Sequence, residues 1–181
     1  MRVSTERLDL IPVRPEHAEE LVRIHGDPSV AYWFAGAWSA DRARTWAADQ
    51  AEAWREHGVG RWMAYRRTDG VLIGRGGLMR MELAGRPVLD LGWVVRDRYV
   101  GQGFATEIGR ASAAFGFETL GAAEIHAYTE QDNLASRAVM VKLGMTEVGP
   151  MDDSGLLAGI PLDRELAPFV GYRLSRPVPA G

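Results

Sequence analysis

The chain has 181 residues, of which 46% are hydrophobic and 25% charged, with a formal net charge of -3, and this balance suits one compact domain with an apolar core. Acidic and basic residues are interspersed, which argues against the broad basic face of a nucleic-acid-binding protein. The absence of cysteine excludes a thiol nucleophile, disulfides and a cysteine-based zinc site, and it fits a reducing, cytoplasmic compartment.

The N-terminal third predicts a strand followed by two helices. Apolar residues alternate between Arg7 and Val13, as in a half-buried strand. Helical spacing then predicts a helix from Pro15 to His25, which the run from Gly26 to Pro28 ends. After a loop rich in aromatic residues, Ser39 is the N-cap candidate of a second helix that ends at Gly58.

The middle of the chain predicts three strands. Residues 61 to 68 and 71 to 81 form a hairpin whose tight turn is Asp69-Gly70. A third strand, from Val88 to Arg96, follows the break at Gly85-Arg86-Pro87 and has the apolar character of a central strand.

The last third predicts helices from Gly103 to Leu120 and from Leu134 to Leu143, with a strand from Glu124 to Thr129 between them. Strands near residues 146 to 151 and 169 to 175 follow. This order indicates an α/β (α+β) fold, a mixed sheet with helices on both faces. We expect residues 1 to 176 to form one domain and residues 177 to 181 a loose tail.

Neither a membrane segment nor a metal site is expected. Residues 1 to 12 carry four charges and lack the apolar stretch of a signal peptide. No segment approaches the roughly 20 apolar residues of a membrane span. The four histidines lack the spacing of metal ligands, so packed or solvated roles are expected for them.

The segment from Arg98 to Ala105, Arg-Tyr-Val-Gly-Gln-Gly-Phe-Ala, lies between the central strand and an alanine-rich helix. Glycines at such a turn let backbone N–H groups converge on an anion, and the helix N-terminus adds partial positive charge. A tight turn that binds nothing is the alternative. Thr106 occupies the third glycine position of the dinucleotide fingerprint, and the Gly-Lys-Ser/Thr of the nucleotide-triphosphate loop is missing.

Arg98, Gly101 and Gly103 match the Arg/Gln-x-x-Gly-x-Gly/Ala loop of the GNAT acetyltransferases, and the sequence resembles that superfamily. The segment from Asn133 to Met145 is similar to the family's second CoA-binding helix, with Met145 in place of the usual phenylalanine. Thr5-Glu6-Arg7-Leu8, Ile73 to Leu78 and Tyr172-Arg173-Leu174 look like the subgroup of ribosomal-protein N-terminal (Rim-type) acetyltransferases.

The resemblance implies a single, mostly antiparallel sheet and acetyl transfer from acetyl-CoA to a primary amine, on a protein N-terminus or a small molecule. It implies a backbone N–H near Val94 or Val95 as the oxyanion donor, and Ser136 as the group near the CoA sulfur that protonates the leaving thiolate. Homodimers are frequent in this subgroup. The implied cofactor-binding residues are Val94, Val95, Arg98, Gly101, Gln102, Gly103, Phe104, Ala105, Asn133 and Ser136.

Two of these positions have structural alternatives. Asn133 is also a good N-cap for the helix that follows it. Ser136 lies in the first helical turn, where its hydroxyl could bond to the local backbone. A non-catalytic acyl-CoA-binding module of the same fold is the alternative function, and an acyl-CoA other than acetyl-CoA is the alternative donor.

Asp90 is the candidate general base. Strand alternation places it on the same side as Val94, and partial burial would raise its pKa. The alternative is a structural carboxylate paired with an arginine such as Arg80, Arg86 or Arg96.

The acceptor site is predicted among aromatic residues. Trp33, Phe34 and Trp38, with Tyr32, lie where this fold places the acceptor wall, although aromatic clusters are more often core. The acidic loop from Asp152 to Pro168 would favour a cationic amine at the entrance.

Overall fold

A computed structural model describes residues 1–83, 85–151 and 168–177 of the chain. In these residues the strands form one eight-stranded sheet in the order β1-β2-β3-β4-β5-β6-β8-β7. The strands are β1 (Val3–Ser4), β2 (Leu8–Pro12), β3 (Arg61–Arg66), β4 (Leu72–Leu83), β5 (Arg86–Val95), β6 (Glu124–Glu130), β7 (Thr146–Met151) and β8 (Phe169–Ser175). The helices are α1 (Ala18–His25), α2 (Pro28–Trp33), α3 (Ala40–His57), α4 (Phe104–Ala114) and α5 (Leu134–Lys142).

The sheet is mixed, as predicted. Neighbouring strands from β1 to β5 are antiparallel. Strands β5 and β6 are parallel, and β8 is antiparallel to both β6 and β7. The last strand in the described part of the chain therefore lies between two strands that precede it.

Helices cover both faces of the sheet and divide the core into two clusters. On one face, Phe104 and Ile108 of α4, Met140 of α5 and Leu91 of β5 belong to one cluster. On the other, α1 and α3 pack on a cluster that contains Val94. Alternate residues of β5 thus face different clusters, and the predicted fold class is confirmed.

Two short elements were not predicted. Strand β1 has only two residues, too few for a periodic pattern. Pro28 does follow the end of α1, but it is also the first residue of α2, a position that proline favours because its missing N–H has no helical partner there.

The predicted hairpin is confirmed, but its two-residue turn is wrong. The Arg66 amide donates to the Val71 carbonyl at 2.8 Å, and the Gly70 amide donates to the Arg66 carbonyl at 2.8 Å. Residues 67 to 70 therefore form a four-residue turn, in which Gly70 has a φ of 66°. The acidic loop predicted for residues 152 to 168 lies, except for Pro168, outside the described residues, as does the predicted tail beyond Pro177. No helix in the described part of the chain is long and apolar enough to cross a membrane.

Candidate active site

The candidate site begins where β5 and β6 separate. Asp90 and His126 are the only register partners between these two strands, both of which lie in the described part of the chain. Beyond this pair, β5 leads to the loop before α4, and β6 leads to the N-terminus of α5. Two helix N-termini, each with partial positive charge, therefore border the gap.

The loop before α4 has the backbone conformation of an anion cradle. Gly101 and Gly103 have φ values of 80° and 83°, which residues with a Cβ rarely adopt. No backbone carbonyl among the described residues accepts a hydrogen bond from the amides of residues 101 to 103. Arg98 is exposed at the start of the loop, and its carbonyl accepts a hydrogen bond from Gln102 Nε2 at 3.1 Å. The loop thus offers several free N–H donors beside a helix N-terminus.

Arg7, which precedes β2, contacts this loop and the first turns of α4. Its Nη1 donates to the Gln102 carbonyl at 2.9 Å, and its Nε donates to Glu107 Oε2 at 2.7 Å. The guanidinium carbon lies 4.4 Å from the centroid of the Phe104 ring. These contacts give a structural reason for the Thr5-Glu6-Arg7-Leu8 motif, because Thr5 also donates to Glu107.

Glu107 is the ionised centre of this arrangement. Burial acts to raise its pKa, but hydrogen bonds from Thr5 and Arg7 outweigh burial and lower the pKa below the usual value. A carboxylate with a lowered pKa stays charged at neutral pH and keeps accepting these bonds.

The N-terminus of α5 presents Ser136 on its first turn. Asn133 caps the helix, since its Oδ1 accepts a hydrogen bond from the Ser136 amide at 3.1 Å. The Ser136 side chain is half-buried, and its hydroxyl has no hydrogen-bond partner among the described residues. The local backbone bond considered for this hydroxyl is therefore not formed.

Asp90 lies at the start of the gap and is 4% exposed. Its carboxylate pairs with the guanidinium of Arg61, which also donates to the Gly77 carbonyl. Burial raises the pKa of Asp90, whereas the positive charge of Arg61 acts to lower it. Gly92 leaves room for this pair, because a Cβ at that position would lie 3.0 Å from Arg61 Nη2.

Asp90 does pair with an arginine, as its structural alternative predicts, but with none of the three suggested there. Arg80 and Arg86 are exposed, and Arg96 pairs with Asp27 at 3.2 Å. Arg61 was missed because 29 residues separate it from Asp90, and only the pairing of β3 with β4 and of β4 with β5 brings the two together.

Strand geometry separates the two oxyanion candidates. The Arg96 amide donates to the Ile73 carbonyl of β4 at 2.9 Å. N–H groups alternate in direction along a strand, so the Val94 amide also points to β4 and the Val95 amide points away from it, toward the gap. The Val94 side chain packs against the α1 and α3 side.

The aromatic residues of the predicted acceptor wall do not share one environment. Trp38 is 6% exposed and stacks on His25 with ring centroids 3.5 Å apart. Phe34 packs edge-on against the same imidazole. Trp33 is half-buried and contacts Tyr32, which is 53% exposed. Trp38 and Phe34 thus belong to the second core cluster, whereas Tyr32 reaches the surface.

Comparisons with known proteins agree with this arrangement. The family model described as "Acetyltransferase (GNAT) domain" matches residues 7–146. The FsC-acetyl coenzyme A-N(2)-transacetylase of Aspergillus fumigatus is 32% identical over 155 residues, 81% of this chain. The chain spans 65% of that protein's length. The uncharacterized N-acetyltransferase YoaA of Bacillus subtilis is 25% identical over 94% of this chain and 97% of its own.

Solved structures show the same fold. RimL, a ribosomal alpha-N-protein acetyltransferase in complex with coenzyme A, aligns with a TM-score of 0.76 over 97% of this chain and 98% of its own, at 14% identity. Identity this low supports the fold alone, so membership of the ribosomal-protein subgroup stays a prediction. The family model spans most of the chain, including the glycine loop and α5. The chain therefore belongs to the GNAT family of acetyltransferases.

Proposed function

We propose that the protein transfers the acetyl group of acetyl-CoA to a primary amine by direct aminolysis. The observation that carries the proposal is the gap between β5 and β6, which two helix N-termini border and which a left-handed glycine loop adjoins. Free amides at Gly101, Gln102 and Gly103 fit the pyrophosphate of CoA, because such donors favour anionic oxygens. The name of the Aspergillus relative, which mentions acetyl coenzyme A and transfer to N(2), supports the same donor.

The proposed reaction joins the amine nitrogen to the thioester carbonyl carbon and breaks the bond from that carbon to sulfur. The amine loses one proton, and the departing thiolate gains one. Negative charge develops on the carbonyl oxygen during the attack, so a fixed N–H donor lowers the barrier. We assign that role to the Val95 amide, which alternation directs into the gap.

Ser136 is the proposed proton donor or hydrogen-bond donor to the thiolate. Its position on the first turn of α5 places it at the border of the gap. Because the hydroxyl has no partner among the described residues, it is free to donate to a ligand without breaking an internal bond. Asn133 holds the start of this helix in place and orients Ser136 through its amide.

Asp90 is the proposed acceptor of the amine proton, directly or through a water molecule. Its side chain shares a face with Val94, and burial raises its pKa toward the range of a useful base. Arg61 fixes its orientation. If Asp90 is only structural, its replacement changes stability but leaves the pH dependence of the rate unaltered.

The first experiment combines calorimetric titration of acetyl-CoA with thiol release against amines and N-terminal peptides. Micromolar binding and amine-dependent release of CoA support the proposal. Binding without release from any acceptor favours a non-catalytic acyl-CoA-binding module, and the absence of binding contradicts the proposed donor. A cytoplasmic location and a homodimer belong to the same proposal, and sedimentation velocity tests the dimer.

A further inference from the structure

A second cluster of buried polar groups lies on the face of the sheet that α1 and α3 cover. Its centre is Arg75 of β4, which is 5% exposed. The guanidinium carbon lies 4.5 Å from the centroid of Trp46, 5.2 Å from that of Phe34 and 5.5 Å from that of Trp38. With His25, these residues form what we call the Arg75 cage.

The cage holds positive charge without a carboxylate. Burial, together with the charges of Arg61 and Arg42, lowers the pKa of Arg75 to about 9, so the guanidinium stays protonated at neutral pH. Arg42 lies 4.8 Å from the Trp38 ring. Within the described part of the chain, no aspartate or glutamate forms an ion pair with either arginine.

His25 cannot balance this charge. Arg75 Nε donates to His25 Nε2 at 3.0 Å, which requires a neutral imidazole as acceptor. Burial and the two neighbouring guanidiniums lower the pKa of His25 far below its usual value. The aromatic rings stabilise the cation through their faces, but a buried charge without a counter-charge is costly to hold.

The end of the guanidinium lacks a hydrogen-bond partner among the described residues. A guanidinium has five N–H donors, and only the Nε donor of Arg75 has a partner among the described residues. The fully enclosed side-chain atoms without a partner in that part of the chain are His25 Nδ1 and Trp38 Nε1. The Nη atoms of Arg75 are not among these fully enclosed atoms, although the side chain as a whole is only 5% exposed.

The cage stands beside the strand that carries the proposed chemistry. Arg75 pairs in register with Val94, and such partners have Cα atoms roughly 5 Å apart. Val94 and Asp90 share the face of the sheet on which Arg75 lies. Strand spacing and side-chain length therefore place the guanidinium on the order of 5 to 10 Å from the β5 edge of the gap.

We infer that Arg75 binds a carboxylate of the acceptor, so that the acceptors of this enzyme are amines with a carboxylate a few bonds away, such as free amino acids. A planar guanidinium with two free amino groups matches a carboxylate in a two-point contact. The inference rests on the proposed acetyl transfer and names the acceptor class of that reaction. Half-buried Phe34 and Trp46 form the walls beside the carboxylate.

The test compares acceptors that differ only in this group. Thiol release is measured at saturating acetyl-CoA with amino acids and with the corresponding carboxamides, and each amine is assayed at matched neutral-amine concentration. We expect kcat/KM to favour the acid by about tenfold or more, the usual scale of a charge-assisted contact. In Arg75→Gln the ratio of kcat/KM for the acid to that for the amide falls to about one because the KM for the acid rises. The affinity for acetyl-CoA is retained.

Arg44→Gln is the matched control, because it also removes one positive charge but from an exposed side chain on α3. It should keep the preference for the acid. Equal kcat/KM for acid and amide in the unsubstituted enzyme overturns the inference and leaves acetyl transfer standing.

A binding measurement separates this inference from the proposed function. Trp38 and Trp46 contact the guanidinium, so acetate titrated at constant ionic strength should change tryptophan emission, with chloride as the reference. If no acceptor releases CoA, the proposed function is contradicted, and the acetate titration by itself tests whether Arg75 binds a carboxylate. A saturable acetate effect that Arg75→Gln removes supports the site, and equal responses to acetate and chloride contradict it.

Discussion

Replacing Gly101 by alanine should weaken acetyl-CoA binding through backbone strain alone. Gly101 has a φ of 80°, and an added Cβ would meet no atom within 4 Å. The cost is therefore conformational, about 1 to 2 kcal/mol for an alanine in the left-handed region. If the free loop relaxes and the bound loop cannot, this cost appears in binding, and Kd rises by a factor of about 5 to 30.

Gly121 supplies a matched control for this change. Its φ is 70° and its Cβ position is equally open, but it precedes β6 at the end of the strand away from Asn133. Gly121→Ala should lower the free energy of unfolding by a similar 1 to 2 kcal/mol, roughly, and leave the Kd unchanged. Calorimetric titration of acetyl-CoA and urea unfolding of both variants measure these quantities. Equal affinity in Gly101→Ala and the unsubstituted protein would refute the role of the loop.

Three further substitutions test the proposed roles of individual side chains. Ser136→Ala should lower kcat about 100-fold. The free energy of unfolding should change by only about 0.5 kcal/mol or less, because the Ser136 hydroxyl has no internal partner. An unchanged rate of thiol release would remove Ser136 from the mechanism. The rate should rise with pH as Asp90 deprotonates, and this rise should lie above the usual carboxyl range because burial raises the pKa of Asp90. Asp90→Asn should abolish this limb of the pH profile of kcat/KM. If the limb persists in the variant, it belongs to another group. Arg7→Met should raise the Kd of acetyl-CoA about tenfold, or about 1.4 kcal/mol, by releasing the Gln102 carbonyl. The pKa of Glu107 lies below its usual value. The stability that this carboxylate contributes is therefore fully present above the usual pKa and is lost as pH falls through the lowered pKa. Urea unfolding at decreasing pH should show this loss in the unsubstituted protein and a smaller loss in Arg7→Met.

The fold could be predicted closely because local patterns determine most of its elements. Strands β3 to β6 and the larger helices carry clear periodicity, and glycines or prolines mark their ends. The glycine loop and the N-cap at Asn133 are also local, since short stretches of sequence specify positive φ values and a capping side chain.

The buried arginines could not be predicted in the same way. A sequence pattern shows that Arg61 and Arg75 lie on strands, but their partners come from strand β5 and helix α1. A register bulge between Ala64 and Tyr65 also sets which face Arg75 occupies. One feature was available in the sequence, namely an arginine within each of two apolar strands, where a charged residue is rarely buried unless it is paired or binds a ligand.

The position of β8 between β6 and β7 has a consequence for the synthesis of the protein. A nascent or proteolysed chain that stops before Phe169 has β6 and β7 but lacks the strand that pairs with both. Each would expose unpaired backbone N–H and C=O groups, the kind of edge on which chains associate with one another. Because β8 joins β6 and β7 in one sheet, chains truncated before Phe169 should be prone to aggregation rather than partly active.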